Sequence, residues 1–262
     1  MSNGLDPTLD PVVGALGRLR VAAPASLSDA VFDSWMRAPG PLGEVYVAFT
    51  RDGVSFLRTA ESLPGDGEEF REAYRTRYQR PLRPATRAPR GLLPALRGTK
   101  SAGPALDLRG LSDFERDVLS ATRRIPAGET RPYAWVAREA GRPNAFRAVG
   151  SVLAGNPVPL LIPCHRVVRT DGTLGQYLFG PSSKAALLRG EHADLDEIDT
   201  LAKAGVHYLG SDTTGVVCFP TCRNARRITP AHRHGFRTLT GALGAGYRPC
   251  RHCRPAVEGE PA

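Results

Sequence analysis

The residues in this chain best suited to chemistry are its five cysteines, and they fall into two groups. One stands alone. Cys164, followed at once by His165, ends the run Asn156-Pro-Val-Pro-Leu-Leu-Ile-Pro163 and precedes Arg166 and Val167. A cysteine attacks as thiolate, and with an ordinary pKa of about 8.5 it is mostly protonated at neutral pH. A neighbouring imidazole can take that proton, directly or through one water. Adjacent side chains on a strand point to opposite faces, so the pair needs a turn or a bridging water to cooperate, and Pro163 provides a place for the break. Taken by itself, such a pair is more often a buried core cysteine with a satisfied neighbour.

The other four, Cys218, Cys222, Cys250 and Cys253, make a C-x3-C and a C-x2-C pair. That spacing suits a tetrahedral all-thiolate zinc site, which keeps the sulfurs ionised. Spacing alone points to a structural role, because small domains often lack enough core to fold without a metal. His232, His234 and His252 are spare ligands beside a shell that four thiolates complete. From Val206 onward eight arginines face three acids, a basic balance that can meet phosphate.

The whole chain of 262 residues is basic, with 35 Lys plus Arg against 26 acids, and only three of the 35 are lysine. Such charge attracts nucleic acid or an anionic surface without specifying either. No stretch of about 20 apolar residues is present, and Met-Ser-Asn-Gly-Leu-Asp lacks the basic start and apolar run of a secretory signal. The expectation is a cytoplasmic, reduced protein with no membrane contact.

Elements must position these groups. Residues 1 to about 38 carry a weak amphipathic pattern around Ser28–Trp35 and say little else. Gly43–Thr50 and Val54–Thr59 flank Arg51-Asp52-Gly53 and read as a hairpin. Phe70–Arg97 holds eight arginines and one acid; it reads as a solvated helix running into a Pro-rich linker, with a DNA-facing surface as the other reading. Gly98–Pro104 marks a boundary. Ser112-Asp-Phe-Glu115 is a capping-box pattern, with Phe114, Val118, Ala121 and Ile125 at helical spacing behind it. Pro126-Ala-Gly128 stops that helix, a short one follows from about Pro132 to Ala140, and another runs to about Ala154. Two short helices joined by a turn outline a helix-turn-helix.

Around the lone thiol the match is longer than a pair. Asn-Pro-Val-Pro-x-x-Ile-Pro-Cys-His-Arg-Val, at 156–167, resembles the active-site signature of the O6-alkylguanine-DNA alkyltransferases, the methylated-DNA-protein-cysteine methyltransferases. The resemblance implies irreversible transfer of an alkyl group from a damaged guanine to Cys164, once per molecule. O6 lies inside the duplex, so the base must leave the stack. By resemblance, Arg147 fills the gap left by the flipped base. Tyr133 presses on the 3′ phosphate and hydrogen-bonds N3, and the small residues Ala145, Ala148 and Gly150 let the second helix enter the minor groove. Glu191 holds His165 in a Cys-water-His-Glu relay, Asn156 braces the turn before the thiol, and Tyr177 lines the pocket. The carbonyls of Cys164 and Val167 would accept from the guanine amine, and the amide of Leu178 would face O6. Three positions depart from the family. Phe146 stands where small residues are common, Phe179 stands where several relatives have glycine, and Glu115 replaces a frequent glutamine. Phe179 is expected to narrow the pocket in favour of methyl groups.

The second cluster also carries a resemblance. Thr213-Thr-Gly-x-x-Cys-x-Pro-x-Cys222 and Ala245-Gly-Tyr-Arg-Pro-Cys-x-x-Cys253 look like the zinc domain of the Ada DNA-repair family, here placed last rather than first. In that domain the first cysteine accepts a methyl group from a methylphosphotriester, which would make Cys218 a second acceptor and Arg223, Arg226 and Arg227 possible phosphate contacts. A purely structural or DNA-anchoring zinc module is the equal alternative. No second helix-turn-helix region is seen, so methyl-dependent gene activation is not expected.

The combined expectation is an α/β (α+β) chain. It has a small α/β domain at 1–104, a helical alkyltransferase domain at 105–192, an acidic linker at 193–204 and a four-cysteine zinc domain at 205–262. It would act as a single-turnover transferase with Zn2+ as cofactor, working as a monomer on double-stranded DNA carrying O6-alkylguanine. A non-catalytic damage sensor is the alternative; a cysteine hydrolase would show turnover beyond one equivalent.

Overall fold

In the computed structural model, residues 28, 30–63, 65–99 and 103–256 are described. Strands β1 (Asp33–Gly40), β2 (Gly43–Thr50), β3 (Gly53–Thr59) and β4 (Leu82–Pro84) form a sheet in the order β3-β2-β1-β4. The expected hairpin is β2–β3, antiparallel and pairing Thr50 with Gly53. Gly53 has φ +146°, and a Cβ there would lie 2.4 Å from the carbonyl oxygen of Ala105, so glycine lets the later chain cross the hairpin end.

The weak amphipathic pattern around Ser28–Trp35 covers helical residues at 28 and 30–31 and then the start of β1, to which Trp35 belongs; with partners on both edges this strand is central. One expectation for the N-terminal part is overturned. The arginine-rich segment is not simply solvated. Helix α1 (Glu68–Tyr78) buries Phe70 and Tyr74, spaced i, i+4, against Trp35, Tyr46 and Phe56. Arg75 and Arg77 are exposed, while Arg71 lies over the Trp35 ring at 5.6 Å. The following "linker" pairs β4 with β1 and then forms α2 (Leu92–Leu96), which buries both terminal leucines. The part of the N-terminal pattern before residue 28 lies outside the described residues.

Helix α3 (Asp113–Arg123) starts at a complete capping box: Ser112 accepts from the amide of Glu115, and the Glu115 carboxylate accepts from the amide of Ser112 at 2.8 Å. A carboxylate is the stronger acceptor for an N-terminal amide, which gives the departure at Glu115 a local reason. Helices α4 (Tyr133–Glu139) and α5 (Phe146–Ala154) follow, packed on each other and on α3. Strand β5 (Arg131–Pro132) pairs in parallel with β6 (Val167–Val168), fixing the start of α4 next to the Cys-His turn. Helix α6 is Pro181–Gly190. The stretch expected as linker contains helix α7 (Leu195–Lys203), capped by Asp194 accepting from Glu197. Its acids are N-terminal charges that favour a helix.

The C-terminal part is a second sheet of order β10-β8-β7-β9, from β7 (Tyr208–Ser211), β8 (Val216–Cys218), β9 (Arg233–Phe236) and β10 (Arg248–Pro249), with α8 (Leu239–Gly244) against it. One continuous apolar cluster runs from Val45 and Leu57 through the helices to all five cysteines. The architecture is therefore mixed α/β. Among the described residues, no helix is long and apolar enough to cross a membrane.

Candidate active site and metal centre

Cys164, His165 and Arg166 form one turn of 3-10 helix after Pro163, the break in extended chain that the pair requires. Both Cys164 and His165 are buried, at 5% and 2% exposure. The loop before them is strained: Leu160 takes φ +74°, a left-handed conformation that costs an L residue about 1–2 kcal/mol. Asn156, wholly buried, holds it there. Its Nδ2 donates to the Ile162 carbonyl (3.0 Å) and to Cys164 Sγ (3.2 Å), while its Oδ1 accepts from the Val158 amide at 3.1 Å.

His165 Nε2 meets Glu191 Oε1 at 2.8 Å. Its Nδ1 and the Tyr177 hydroxyl are buried polar atoms with no protein partner among the described residues, and the two rings are perpendicular at 6.1 Å. No hydrogen bond joins Cys164 Sγ directly to His165 there. Glu191 also accepts from Arg166 Nε and Nη2 (2.7–3.1 Å) and from the Gly128 amide at 2.9 Å. Burial works against its charge, yet the bonds from His165 and Arg166 pull its carboxyl down to about 2. Burial lowers the His165 pKa below its usual value, opposed by Glu191. Burial pushes the Cys164 thiol up, opposed by the Asn156 bond and by Lys184. The thiol therefore does not ionise unaided at neutral pH.

Four contributors were invisible in the sequence. Arg166 is a motif residue to which the sequence assigns no role, and Gly128 reads only as a helix stop. Arg58 spans from β3 to donate to the carbonyls of Asn156 and Pro157. Lys184 looked like a surface lysine of α6 but is 0% exposed; its Nζ donates to the carbonyls of Val167, Leu174 and Gln176, and burial lowers it to about 8. The Val167 carbonyl expected to receive guanine thus already has Lys184, and that of Cys164 already receives the Val167 amide. Each carbonyl retains a second lone pair.

The remaining predicted residues lie on α4 and α5. Tyr133 opens α4, half-buried, its hydroxyl pKa raised by burial and then by the nearby Cys164. A Cβ on Gly150 would sit 4.0 Å from the Tyr133 ring, an ordinary contact, so the packing of the two helices does not itself require glycine there. Arg147 and Ala148 face solvent, and Ala145 caps α5. Phe146 points outward at 46% exposure, with the Arg147 guanidinium 5.6 Å from its ring. Phe179 packs edge-on against Tyr177 at 5.5 Å. The structure thus gathers Cys164, His165, Glu191, Asn156 and Tyr177, with Tyr133 nearby, and leaves Arg147 and Ala148 on an open helical face.

The sulfurs of Cys218, Cys222, Cys250 and Cys253 lie within 4.8 Å of one another, all buried. So close together they cannot all be thiolates unaided: the thiols of Cys218 and Cys253 are pushed up by neighbouring sulfurs while those of Cys222 and Cys250 are drawn down. A central dication removes that conflict, and four soft ligands at this spacing fit Zn2+. Backbone amides of Asn224 and Ala225 point at Cys222, and the Asn224 side chain donates to Cys250 at 3.3 Å. An open cleft beside Cys250 is lined by Arg223, Arg248 and Arg251. Arg226 does not join them; its Nε donates to the Thr221 carbonyl (3.2 Å) and its Nη2 to that of Gly128. None of the three histidines displaces a sulfur. His252 bonds Glu129 at 2.9 Å, and His232 and His234 face Asp212.

Comparison with known proteins gives two family profiles in tandem. Residues 113–193 match "6-O-methylguanine DNA methyltransferase, DNA binding domain", and residues 197–256 match "Metal binding domain of Ada". The chain is similar to the Escherichia coli bifunctional transcriptional activator/DNA repair enzyme Ada, with 52% identity over 86 residues, 33% of this chain and 24% of that protein. It is similar also to the Mycobacterium tuberculosis methylated-DNA–protein-cysteine methyltransferase, with 46% identity over 86 residues, 33% of this chain and 52% of that protein. The chain spans from 24% to 53% of the length of the curated relatives it matches. Among solved structures, Mycobacterium tuberculosis OGT in complex with DNA aligns with TM-score 0.50 and 30% identity, over 63% of this chain and 98% of that one.

Proposed function

This chain belongs to the O6-alkylguanine-DNA alkyltransferases and carries an Ada-type zinc domain at its C-terminus, and from that premise we propose that it repairs alkylated DNA by direct reversal. Cys164 is the acceptor. The observation that carries this reading is the state of His165, the residue after the buried Cys164: Nε2 is committed to Glu191, and Nδ1 is buried without a protein partner among the described residues. One water bridging Sγ to Nδ1 would complete a proton path. Sγ attacks the alkyl carbon in line with the C–O6 bond; the S–C bond forms, and the C–O6 electron pair leaves on guanine. The thiol proton passes to His165, and Glu191 stabilises the imidazolium. The product is a thioether, so each molecule acts once.

Double-stranded DNA carrying O6-alkylguanine is the proposed partner. The α4–α5 pair docks on it, with Arg147 in the gap left by the extruded base, Tyr133 against the flanking phosphate and N3, and Ala145, Ala148 and Gly150 keeping the approach close. Tyr177 and Asn156 shape the pocket and hold the thiol loop. Each chain carries the full set, so we propose a monomer, built of an α/β domain to about residue 104, a catalytic domain to 192 and a zinc domain from about 205.

At the zinc domain, the arginine cleft beside the cluster suits a phosphate, and a zinc ion held by the four cysteines would keep sulfur ionised there. Cys218, whose strongest interactions are with the other sulfurs, is the proposed second acceptor for a methylphosphotriester.

The test is peptide mass spectrometry after incubation with duplex DNA carrying O6-methylguanine. One methyl on the Cys164 peptide is expected, with a further methyl on the Cys218 peptide when methylphosphotriester DNA is supplied. A protein that binds the DNA yet leaves Cys164 unmodified is a damage sensor instead.

A further inference from the structure

The segment Pro126-Ala-Gly-Glu-Thr-Arg131 is gripped from both sides. On one side the Gly128 amide donates to Glu191 Oε2 at 2.9 Å. On the other, the Gly128 carbonyl accepts from Arg226, a residue of the zinc domain four positions after Cys222. Gly128 has φ +72°, and a Cβ there would fall 2.5 Å from the Glu191 carbonyl oxygen and 3.2 Å from Arg226 Nη2. Only glycine fits, and glycine brings no side chain to hold its own conformation; its partners must do so.

The grip continues along the segment. Glu129 is 3% exposed, and its Oε1 accepts from the Arg223 amide (3.1 Å) and from His252 Nε2 (2.9 Å). The Thr130 amide donates to Thr221 Oγ1 at 2.8 Å. Further along, Trp135 Nε1 of α4 donates to the carbonyl of Cys253, itself a zinc ligand, at 2.9 Å. The zinc-domain partners therefore lie among or next to the ligand cysteines in sequence. Whatever orders the four-sulfur cluster orders the donors that hold Gly128.

We propose that Arg226 is a positioning residue for alkyl transfer at Cys164, acting through Gly128 to hold the Glu191 carboxylate on His165, so that the zinc domain is a working part of the guanine-side relay. The proposal rests on Cys164 being the acceptor. Arg226 touches neither thiol nor base; it sets where a carboxylate stands. Because the Gly128 amide is, among the described residues, the one backbone donor to the Glu191 carboxylate, freeing the loop lets that carboxylate turn toward Arg166 alone and loosens the imidazole.

The test compares full-length wild type, Arg226→Ala and Arg226→Lys in single-turnover transfer from O6-methylguanine duplex DNA, with DNA affinity and zinc content measured on each. For Arg226→Ala the expected result is unchanged affinity with a transfer rate about tenfold lower, the size that loss of orientation commonly has. Lysine can still donate to the Gly128 carbonyl and restores most of the rate. An alanine variant as fast as wild type overturns the proposal, as does a slow one that lysine does not rescue. Should Arg226→Ala shed its metal, hydrogen exchange in 126–131 of the wild type decides: exchange must quicken when zinc is stripped, and unchanged exchange overturns the coupling. Failure of wild type to methylate Cys164 would instead sink the proposed function itself.

Discussion

Two sets of thiols share one apolar core and reach the ionised state by opposite routes. Cys164 is a single sulfur that burial keeps protonated, so its thiolate depends on a proton acceptor supplied through His165 and Glu191. In the cluster at 218–253 the neighbouring imidazole of His252 is committed to Glu129 instead of a sulfur; four sulfurs crowd within 4.8 Å, and a cation is what lets them all be charged. The difference teaches where each site should be fragile. The first is sensitive to pH and to hydrogen-bond geometry, including the Arg226–Gly128 contact from the zinc domain; the second is sensitive directly to metal and to ligand number.

The largest expected effect separates them outright. Cys164→Ala should lose guanine-side transfer completely while retaining one zinc per chain. Cys222→Ala should lose the metal and, with it, the fold of the C-terminal sheet, because structural zinc supplies on the order of 10 kcal/mol to such modules. Metal stoichiometry and thermal unfolding followed by circular dichroism check both. Metal loss in Cys164→Ala would break the division between the two sites.

A smaller effect sharpens the proton route. Glu191→Gln keeps the shape but removes the charge that stabilises the imidazolium, and should slow transfer about 100-fold. Glu191 raises the His165 pKa against burial, so its loss should also move the acidic limb of the rate–pH profile to lower pH. Stability follows the carboxyl itself. Its folded pKa of about 2 lies below the ordinary 4.5, so its contribution is complete above about pH 4.5 and is lost as pH falls through 2. The glutamine variant should lack that acid-labile part, as acid titration of the unfolding midpoint would show. Zinc-bound sulfurs should not respond to this change.

What the sequence displayed was chemistry with local spacing. The Cys-His turn needed Pro163, the capping box is read from four residues, and a C-x3-C with a C-x2-C implies four converging sulfurs. What it hid was side chains whose partners are distant in sequence. Lys184 sits in Pro-Ser-Ser-Lys, a surface-like context, and only the fold gives its ammonium three carbonyls to satisfy. Arg226 reads as a possible phosphate contact by resemblance to the Ada zinc domain; docking against the 126–131 loop makes it a strut. The acidic stretch after residue 193 hides helix α7, whose start is marked by the Asp194 cap and by charges that suit a helix N-terminus.

The smallest expected effect concerns shape, which only the guanine side should read. Phe179 packs its edge against Tyr177, whose ring in turn stands perpendicular to His165, so the aromatic pair forms a wall beside the thiol. A methyl adduct needs little room at that wall; a benzyl adduct must displace it or stack on it. An apolar pocket discriminates by about 1–3 kcal/mol for such differences. Wild type should therefore transfer methyl faster than benzyl, and Phe179→Ala should reduce that ratio about tenfold by speeding benzyl rather than slowing methyl. Alanine is the informative change, since glycine would also loosen the loop. Parallel single-turnover rates on the two adducts provide the measurement, with phosphotriester transfer as the internal reference. Equal wild-type rates would mean that the wall yields freely, and the guanine side would then differ from the zinc side in how it makes a thiolate but not in how it selects what reaches it.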